Sequence, residues 1–197
     1  MTLTALTALA AYAFITSATP GPNNLMLMAA GANFGFRRSL PHMLGVGIGF
    51  MVLLFCVGLG IIQLFDAFPI SHRILQVFSV IYLLYLALKI ARAASPTAPE
   101  TVAEPLSFLQ AAAFQWVNPK GWVMALTAIS LYAPERDVQT LLSVTLVFGL
   151  INFPTVSAWT LMGMQLRRML TSPRGLAVFN SVMALALVAT LYPMLSV

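Results

Sequence analysis

Long apolar stretches without a charged residue constrain this chain more than any other feature. They cover residues 1–36, 39–65, 138–166 and 175–197, and a fifth stretch, residues 105–134, is interrupted only by Lys120. Each stretch is near or above the ~20 residues that cross a bilayer as a helix. The pattern therefore predicts an all-α polytopic membrane protein.

The composition agrees with this class. Of the 197 residues, 60% are hydrophobic and 8% are charged, whereas roughly a quarter are charged in an average soluble domain. The net charge of +5 does not indicate a nucleic-acid partner, because the basic residues are thinly spread between apolar spans. Cys56 is alone, and His42 and His72 have no companion ligands, so neither an internal disulfide nor a metal site is expected. No cofactor is predicted, and no arrangement of residues typical of an enzyme is present.

Six spans fit the sequence, at about residues 3–33, 42–65, 74–93, 108–131, 138–162 and 176–195. The first and fourth are interrupted by proline. Residues 95–106 contain three prolines and two glutamates, which disfavour both helix formation and membrane burial. This segment is predicted to link two three-helix repeats, residues 1–94 and 107–197. Because each repeat holds an odd number of spans, corresponding spans would run in opposite directions and the repeats would be inverted.

The basic residues predict the orientation in the membrane. By the predicted spans, seven basic residues lie in a connection or at the span end next to it on one side: Arg37, Arg38, Lys89, Arg92, Arg167, Arg168 and Arg174. Only Arg73 and Arg136 lie on the other side. Since cytoplasmic connections carry the excess of Lys and Arg, the first side is predicted to be cytoplasmic and both termini to lie outside.

The first proline break occupies residues 17–24, with the sequence SATPGPNN. Two prolines remove two N–H donors, so carbonyl groups one turn earlier lose their helical partners. One interpretation is that the first helix simply ends at the membrane interface. The other is a break near the midplane, where the loose carbonyls face a substrate cavity. In that case the candidate binding residues are Thr19, Pro20, Gly21, Pro22, Asn23 and Asn24.

The second break lies near the middle of an apolar stretch and contains a lysine. Its candidate binding residues are Asn118, Pro119, Lys120 and Gly121. A lysine at the centre of a span costs about 2.5 kcal/mol or more, so a functional role is the default interpretation, with snorkelling to the interface as the alternative. None of the predicted spans contains an acidic residue. A substrate carboxylate is therefore the natural partner for Lys120.

The two breaks correspond at an offset of 99 residues, which also places Arg37 on Arg136. Paired Gly/Pro-interrupted spans in two halves of a chain are typical of a transporter with a midplane site. Asn152, two residues before Pro154, either lines the same cavity or bonds a carbonyl that the proline frees. The spacing of Gly31, Gly35, Gly45, Gly47 and Gly49 predicts close helix packing and permits a homodimer.

The chain resembles the LysE/RhtB family of amino-acid exporters over nearly its whole length. The resemblance rests on TPGPNN at residues 19–24, GFRRS at 35–39, YLLYLALKI at 82–90 and NPKG at 118–121. It is most similar to the O-acetylserine/cysteine exporter branch. The resemblance implies a six-span protein of the bacterial inner membrane that exports a small amino acid or derivative, driven by protons. Many members of the family carry Asp where this chain has Asn23, so the role of that carboxylate does not transfer.

Together these features predict a secondary exporter whose two halves rock around a midplane site. Lys120 would hold the substrate carboxylate, while Asn23, Asn24, Asn118 and loose carbonyls would receive its ammonium or hydroxyl groups. Because desolvation favours the neutral amine, Lys120 would also release a proton when substrate leaves. The alternative is a non-transporting membrane scaffold or subunit, whose glycine faces pack against partner helices.

Overall fold

The computed structural model describes residues 1–61, 63, 67–68, 70–93, 104–170 and 172–192. Over these residues the fold is entirely helical, as predicted. The seven α-helices are α1 (Leu3–Ala18), α2 (Pro22–Gly58), α3 (Ile70–Arg92), α4 (Phe108–Phe114), α5 (Pro119–Tyr132), α6 (Val138–Met169) and α7 (Pro173–Ala189). A 3-10 turn, Gln115–Val117, follows α4 directly.

Three segments of the described chain are long and apolar enough to cross a membrane: Pro22–Gly58, Arg73–Arg92 and Val138–Met169. The helices α1 and α7 are apolar but shorter. This is the composition of a multi-pass membrane protein. Most of the predicted linker, residues 95–103, lies outside the described residues, while residues 104–106 are described.

Helix α2 joins two segments that the sequence assigns to different spans. Its 37 residues include Gly35, whose φ of 78° and ψ of 174° interrupt the helical conformation. A side chain at Gly35 would meet no atom, so glycine is required there by the backbone conformation and not by lack of space. One residue thus redirects the chain, and the predicted connection of several residues is replaced by a kink.

Glycines allow α2 to pack closely on its neighbours, and its most extensive contact is with α6. A Cβ atom on Gly31 would overlap the carbonyl oxygen of Thr160, and one on Gly163 would overlap the carbonyl oxygen of Met28. Gly45 likewise lies against the backbone of α4. The predicted close packing is confirmed for Gly31, Gly45 and Gly49, all within the chain, and is wrong for Gly35 and Gly47, which have no close neighbour among the described residues.

Candidate functional site

The first break ends α1 and leaves several backbone carbonyls without helical donors. Pro20 and Pro22 have no N–H to offer to the carbonyls of the preceding turn. Side chains from elsewhere replace those donors. Asn24 Nδ2 donates to the carbonyls of Ser17 at 2.7 Å and Thr19 at 2.8 Å, and Trp159 Nε1 donates to Ala18 at 3.2 Å.

Lys120 completes this set of donors. Its Nζ donates to the Thr19 carbonyl at 2.7 Å, to Thr19 Oγ1 at 2.9 Å and to the Pro20 carbonyl at 3.3 Å. The ammonium therefore lies at the C-terminal end of α1, where the helix dipole favours positive charge. A Cβ on Gly21 would come to 2.7 Å from Lys120 Cδ, so a larger residue there would displace the lysine side chain from this position. The two breaks predicted from the sequence are thus in direct contact.

A reciprocal pair of amides joins the breaks a second time. Asn23 Nδ2 donates to Gln115 Oε1 at 2.8 Å, and Gln115 Nε2 donates to Asn23 Oδ1 at 3.1 Å. Gln115 is completely buried and also donates to the carbonyl of Ala111. The sequence analysis did not select Gln115. Its signal is a polar amide in an otherwise apolar stretch, three residues before the second break.

Two helices begin at the site. Pro22 and Pro119 each stand in the first turn of their helix, α2 and α5, where the missing N–H is tolerated. Within the described residues neither helix start receives a side-chain cap. The first N–H groups of both helices therefore remain available, and their positive dipole ends favour an anion.

A small polar cavity lies between the two breaks and α6. Its volume of about 20 Å³ accommodates one water molecule and no amino acid. The structure is therefore closed in the sense that the cavity is too small to hold a substrate. Seven of the predicted residues line it: Gly21, Asn23, Asn24, Asn118, Lys120, Gly121 and Asn152. Thr19 and Pro20 contribute the oxygens that bind Lys120, whereas Pro22 and Pro119 act through the helix starts. Five further lining residues were not among the candidates predicted from the sequence: Thr16, Ser17, Phe50, Met124 and Val156.

Two carbonyl oxygens of this site have no donor. Asn118 Oδ1 and Asn152 Oδ1 are buried and find no hydrogen-bond partner among the described residues. Asn152 Nδ2 donates to Ser17 Oγ at 3.3 Å, so Asn152 lines the cavity and contacts the end of α1. An unpaired buried acceptor is unfavourable, and a donor group entering the cavity would relieve that cost.

The site therefore offers two kinds of partner at short range. Donors are the helix starts of α2 and α5 and the Lys120 ammonium, while acceptors are the amide oxygens and the carbonyls at the end of α1. The three partners of Lys120 are all neutral oxygens. The described residues contain no cluster of three or more His, Cys, Asp or Glu that would hold a metal ion.

Comparison with known proteins identifies the family. The family model of the LysE type translocator matches residues 14–190. The chain is 32% identical over 174 residues to the cysteine/O-acetylserine efflux protein of Klebsiella pneumoniae. That alignment covers 86% of this chain and 87% of the Klebsiella protein. The chain is 33% identical, with the same coverage, to the protein of that name from Escherichia coli K12. No solved structure matches the chain. The predicted resemblance is confirmed: the chain belongs to the LysE type translocator family and is a membrane transporter, not an enzyme.

Proposed function

We propose that this protein is a secondary transporter that exports small amino acids or their derivatives. Cysteine and O-acetylserine, or other neutral amino acids of similar size, are the expected substrates, since the relatives are named for the efflux of those two. The observation that carries the proposal is the cavity in which Lys120 of one break binds the carbonyls of Thr19 and Pro20 in the other. Donors and acceptors converge there as a zwitterion requires.

The substrate carboxylate would bind at the starts of α2 and α5, with Lys120. Its ammonium would bind the carbonyls of Thr19 and Pro20 and the unpaired oxygens of Asn118 and Asn152. In the closed structure the Lys120 ammonium itself occupies the carbonyls. An incoming ammonium carries the same charge and the same number of donors, so it can replace Lys120 there. The lysine would then turn to the carboxylate.

Lys120 is also our candidate for proton coupling. Among the residues that line the described cavity, it is the one with a titratable side chain. The ammonium of the substrate and that of Lys120 compete for the same carbonyls, so proton binding and substrate binding would be linked. Uptake of a proton from the outside after substrate release, and its release to the cytoplasm before the next substrate binds, would let the inward proton gradient drive export.

The architecture we propose is two inverted repeats of three spans in a bacterial inner membrane, with both termini outside. Two observations support the orientation. Arg38 and Lys89, from the predicted cytoplasmic group, line one cavity. Arg136, from the other group, lies beside Gly60 at the far end of α2. A homodimer would have to use surfaces other than Gly31 and Gly45, which are occupied within the chain.

The alternative, a scaffold without transport, is less well supported. It assigned the glycine faces to partner helices, whereas Gly31, Gly45 and Gly49 pack against this chain's own backbone. Membership of a translocator family also favours transport.

Efflux from preloaded cells tests the function. Labelled O-acetylserine, cysteine, homoserine, threonine and lysine are compared in cells that contain the wild type, Lys120→Met or Lys120→Arg at equal membrane abundance. The proposal predicts faster efflux of at least one neutral substrate and its loss in Lys120→Met. Arg174→Met, an exposed charge on α7, is the matched control and should transport normally. If no amino acid leaves faster than from cells without the protein, the proposal is wrong.

A further inference from the structure

A second cavity lies at the far end of the first segment of α2. Its polar lining residues are Asn33, His42, Lys89 and Glu104, and its walls are otherwise mostly apolar. It adjoins a wider opening of about 550 Å³, which shares Lys89 and Glu104 with it. None of these four residues belongs to the site between the helix breaks.

His42 is the most unusual member of this cavity. The sequence places it at the edge of a span, but in the structure it is buried inside α2, with only 2% of its surface exposed. Neither ring nitrogen has a hydrogen-bond partner among the described residues. Every form of imidazole carries at least one N–H donor, and burying it unpaired is unfavourable. A ligand in the cavity with a polar atom near the ring would remove this cost.

The mouth of the cavity carries charges of both signs. Lys89 comes from the end of α3 and Glu104 from the segment before α4, and both line the inner cavity and the outer opening. Arg38 and Gln110 line the outer opening alone. An amino acid presents an ammonium and a carboxylate on one carbon atom, so a cation and an anion at one mouth match its backbone.

One face of α2 connects this cavity with the site between the breaks. Asn23, Met26, Ala30 and Asn33 are spaced by three, four and three residues, which places them on one side of a helix. Asn23 lines the central site, while the other three line the second cavity. The ten residues from Asn23 to Asn33 correspond to about 15 Å. Asn180 holds Asn33 in place through reciprocal bonds of 2.8 and 3.0 Å.

We infer that the outer opening and this cavity, which itself has room of only about 40 Å³, form an access site on the predicted cytoplasmic side. A zwitterionic substrate binds there, with its backbone in the opening and the end of its side chain in the cavity, before it reaches the central site. The substrate carboxylate binds Lys89, its ammonium binds Glu104, and a hydrogen-bonding atom of its side chain meets His42. The substrate then passes along the face of α2 from Asn33 to Asn23. This inference rests on the proposed export function and assigns it a first binding step.

Transport measured separately from each membrane face tests the access site. Inside-out vesicles present the cytoplasmic face to labelled O-acetylserine, and right-side-out vesicles present the opposite face. Lys89→Gln and Glu104→Gln should each raise KM about tenfold at the cytoplasmic face, which corresponds to the loss of one charge-assisted contact of about 1.4 kcal/mol. KM at the opposite face and the maximal rate of export should remain unchanged, and detailed balance then requires the maximal rate in the reverse direction to fall by the same factor. The matched control is Arg92→Gln, an exposed residue of α3 that lines neither cavity.

The charge-swapped double variant guards against effects on folding. Lys89→Glu combined with Glu104→Lys keeps both charges at the mouth, so it should recover most of the affinity lost in either single swap. An equal KM change at both faces, or no change at either, would overturn the access site while leaving export intact. Absence of transport by the wild type would instead overturn the proposed function itself. His42→Leu should reduce the preference for O-acetylserine over norleucine, and an unchanged preference would refute the role of His42.

Discussion

Replacing Gln115 with leucine removes both hydrogen bonds that tie the second break to Asn23. The bonds are 2.8 and 3.1 Å long, and Gln115 is completely buried. A side-chain hydrogen bond in a membrane protein contributes about 0.6 kcal/mol on average and up to about 1.7 kcal/mol. Two such bonds therefore predict a coupling free energy of about 1 to 3 kcal/mol between the two positions.

A double-mutant cycle measures this coupling. Asn23→Leu or Gln115→Leu alone leaves one amide without its partner, so each should lower the free energy of unfolding in detergent micelles. The double variant replaces both amides with apolar groups of similar size. Its loss in the free energy of unfolding should therefore be well below the sum of the losses in the two single variants. The pair Asn33 and Asn180 is the positive control, because it has the same reciprocal geometry away from the breaks. Additivity within about 0.5 kcal/mol at Asn23 and Gln115 would refute the pairing.

Three further predictions concern the packing and the helix ends. Gly163→Ala should lower the amount of folded protein in the membrane, because its Cβ would overlap the backbone of α2. Gly47→Ala is the contrast: its Cβ would meet Asn152 Oδ1 only at 3.9 Å, so the change should be tolerated and should raise stability by up to about 1 kcal/mol. Gly35→Ala forces an L residue to a φ of 78° and a ψ of 174°, a region essentially restricted to glycine, and should destabilise by about 1 to 3 kcal/mol in the same unfolding assay. Hydrogen bonds from the Thr140 side chain and then from the Thr140 N–H lower the pKa of Asp137 below its ordinary 3.8. The stability that this cap provides is therefore present above that pH and is lost as the pH falls through the lowered value, and Asp137→Asn should flatten this acid dependence in thermal unfolding.

Most of the central site could be predicted from the sequence because its signals are local. Proline removes a donor wherever it stands, and a lysine in an apolar stretch is costly in any membrane fold. These two arguments selected Thr19 and Lys120, which lie 2.7 Å apart in the structure at Nζ and the carbonyl oxygen. The partner of Lys120 in the closed structure could not be predicted from the sequence. That partner is the C-terminal end of α1 and not a carboxylate.

The remaining features depend on which helices pack together. Gln115 and Asn23 are 92 residues apart, and nothing local indicates that their amides meet. The burial of His42 could not be predicted either, since it follows from the continuation of α2 through a single kink at Gly35. Ser17 belongs to the first proline break, but its position in the cavity wall follows from its contact with Asn152 on α6, which the sequence does not indicate.

Substrate protection of an introduced cysteine tests the central claim most directly. Ser17→Cys, in a Cys56→Ser background, places a thiol of similar size in the lining of the central cavity, and Gln139→Cys on the exposed start of α6 is the control. The account predicts that O-acetylserine slows maleimide labelling at position 17, with a concentration dependence that matches the KM of transport, and leaves position 139 unaffected. Equal labelling of position 17 with and without saturating substrate, in a variant that still transports, would contradict a binding site between the two breaks.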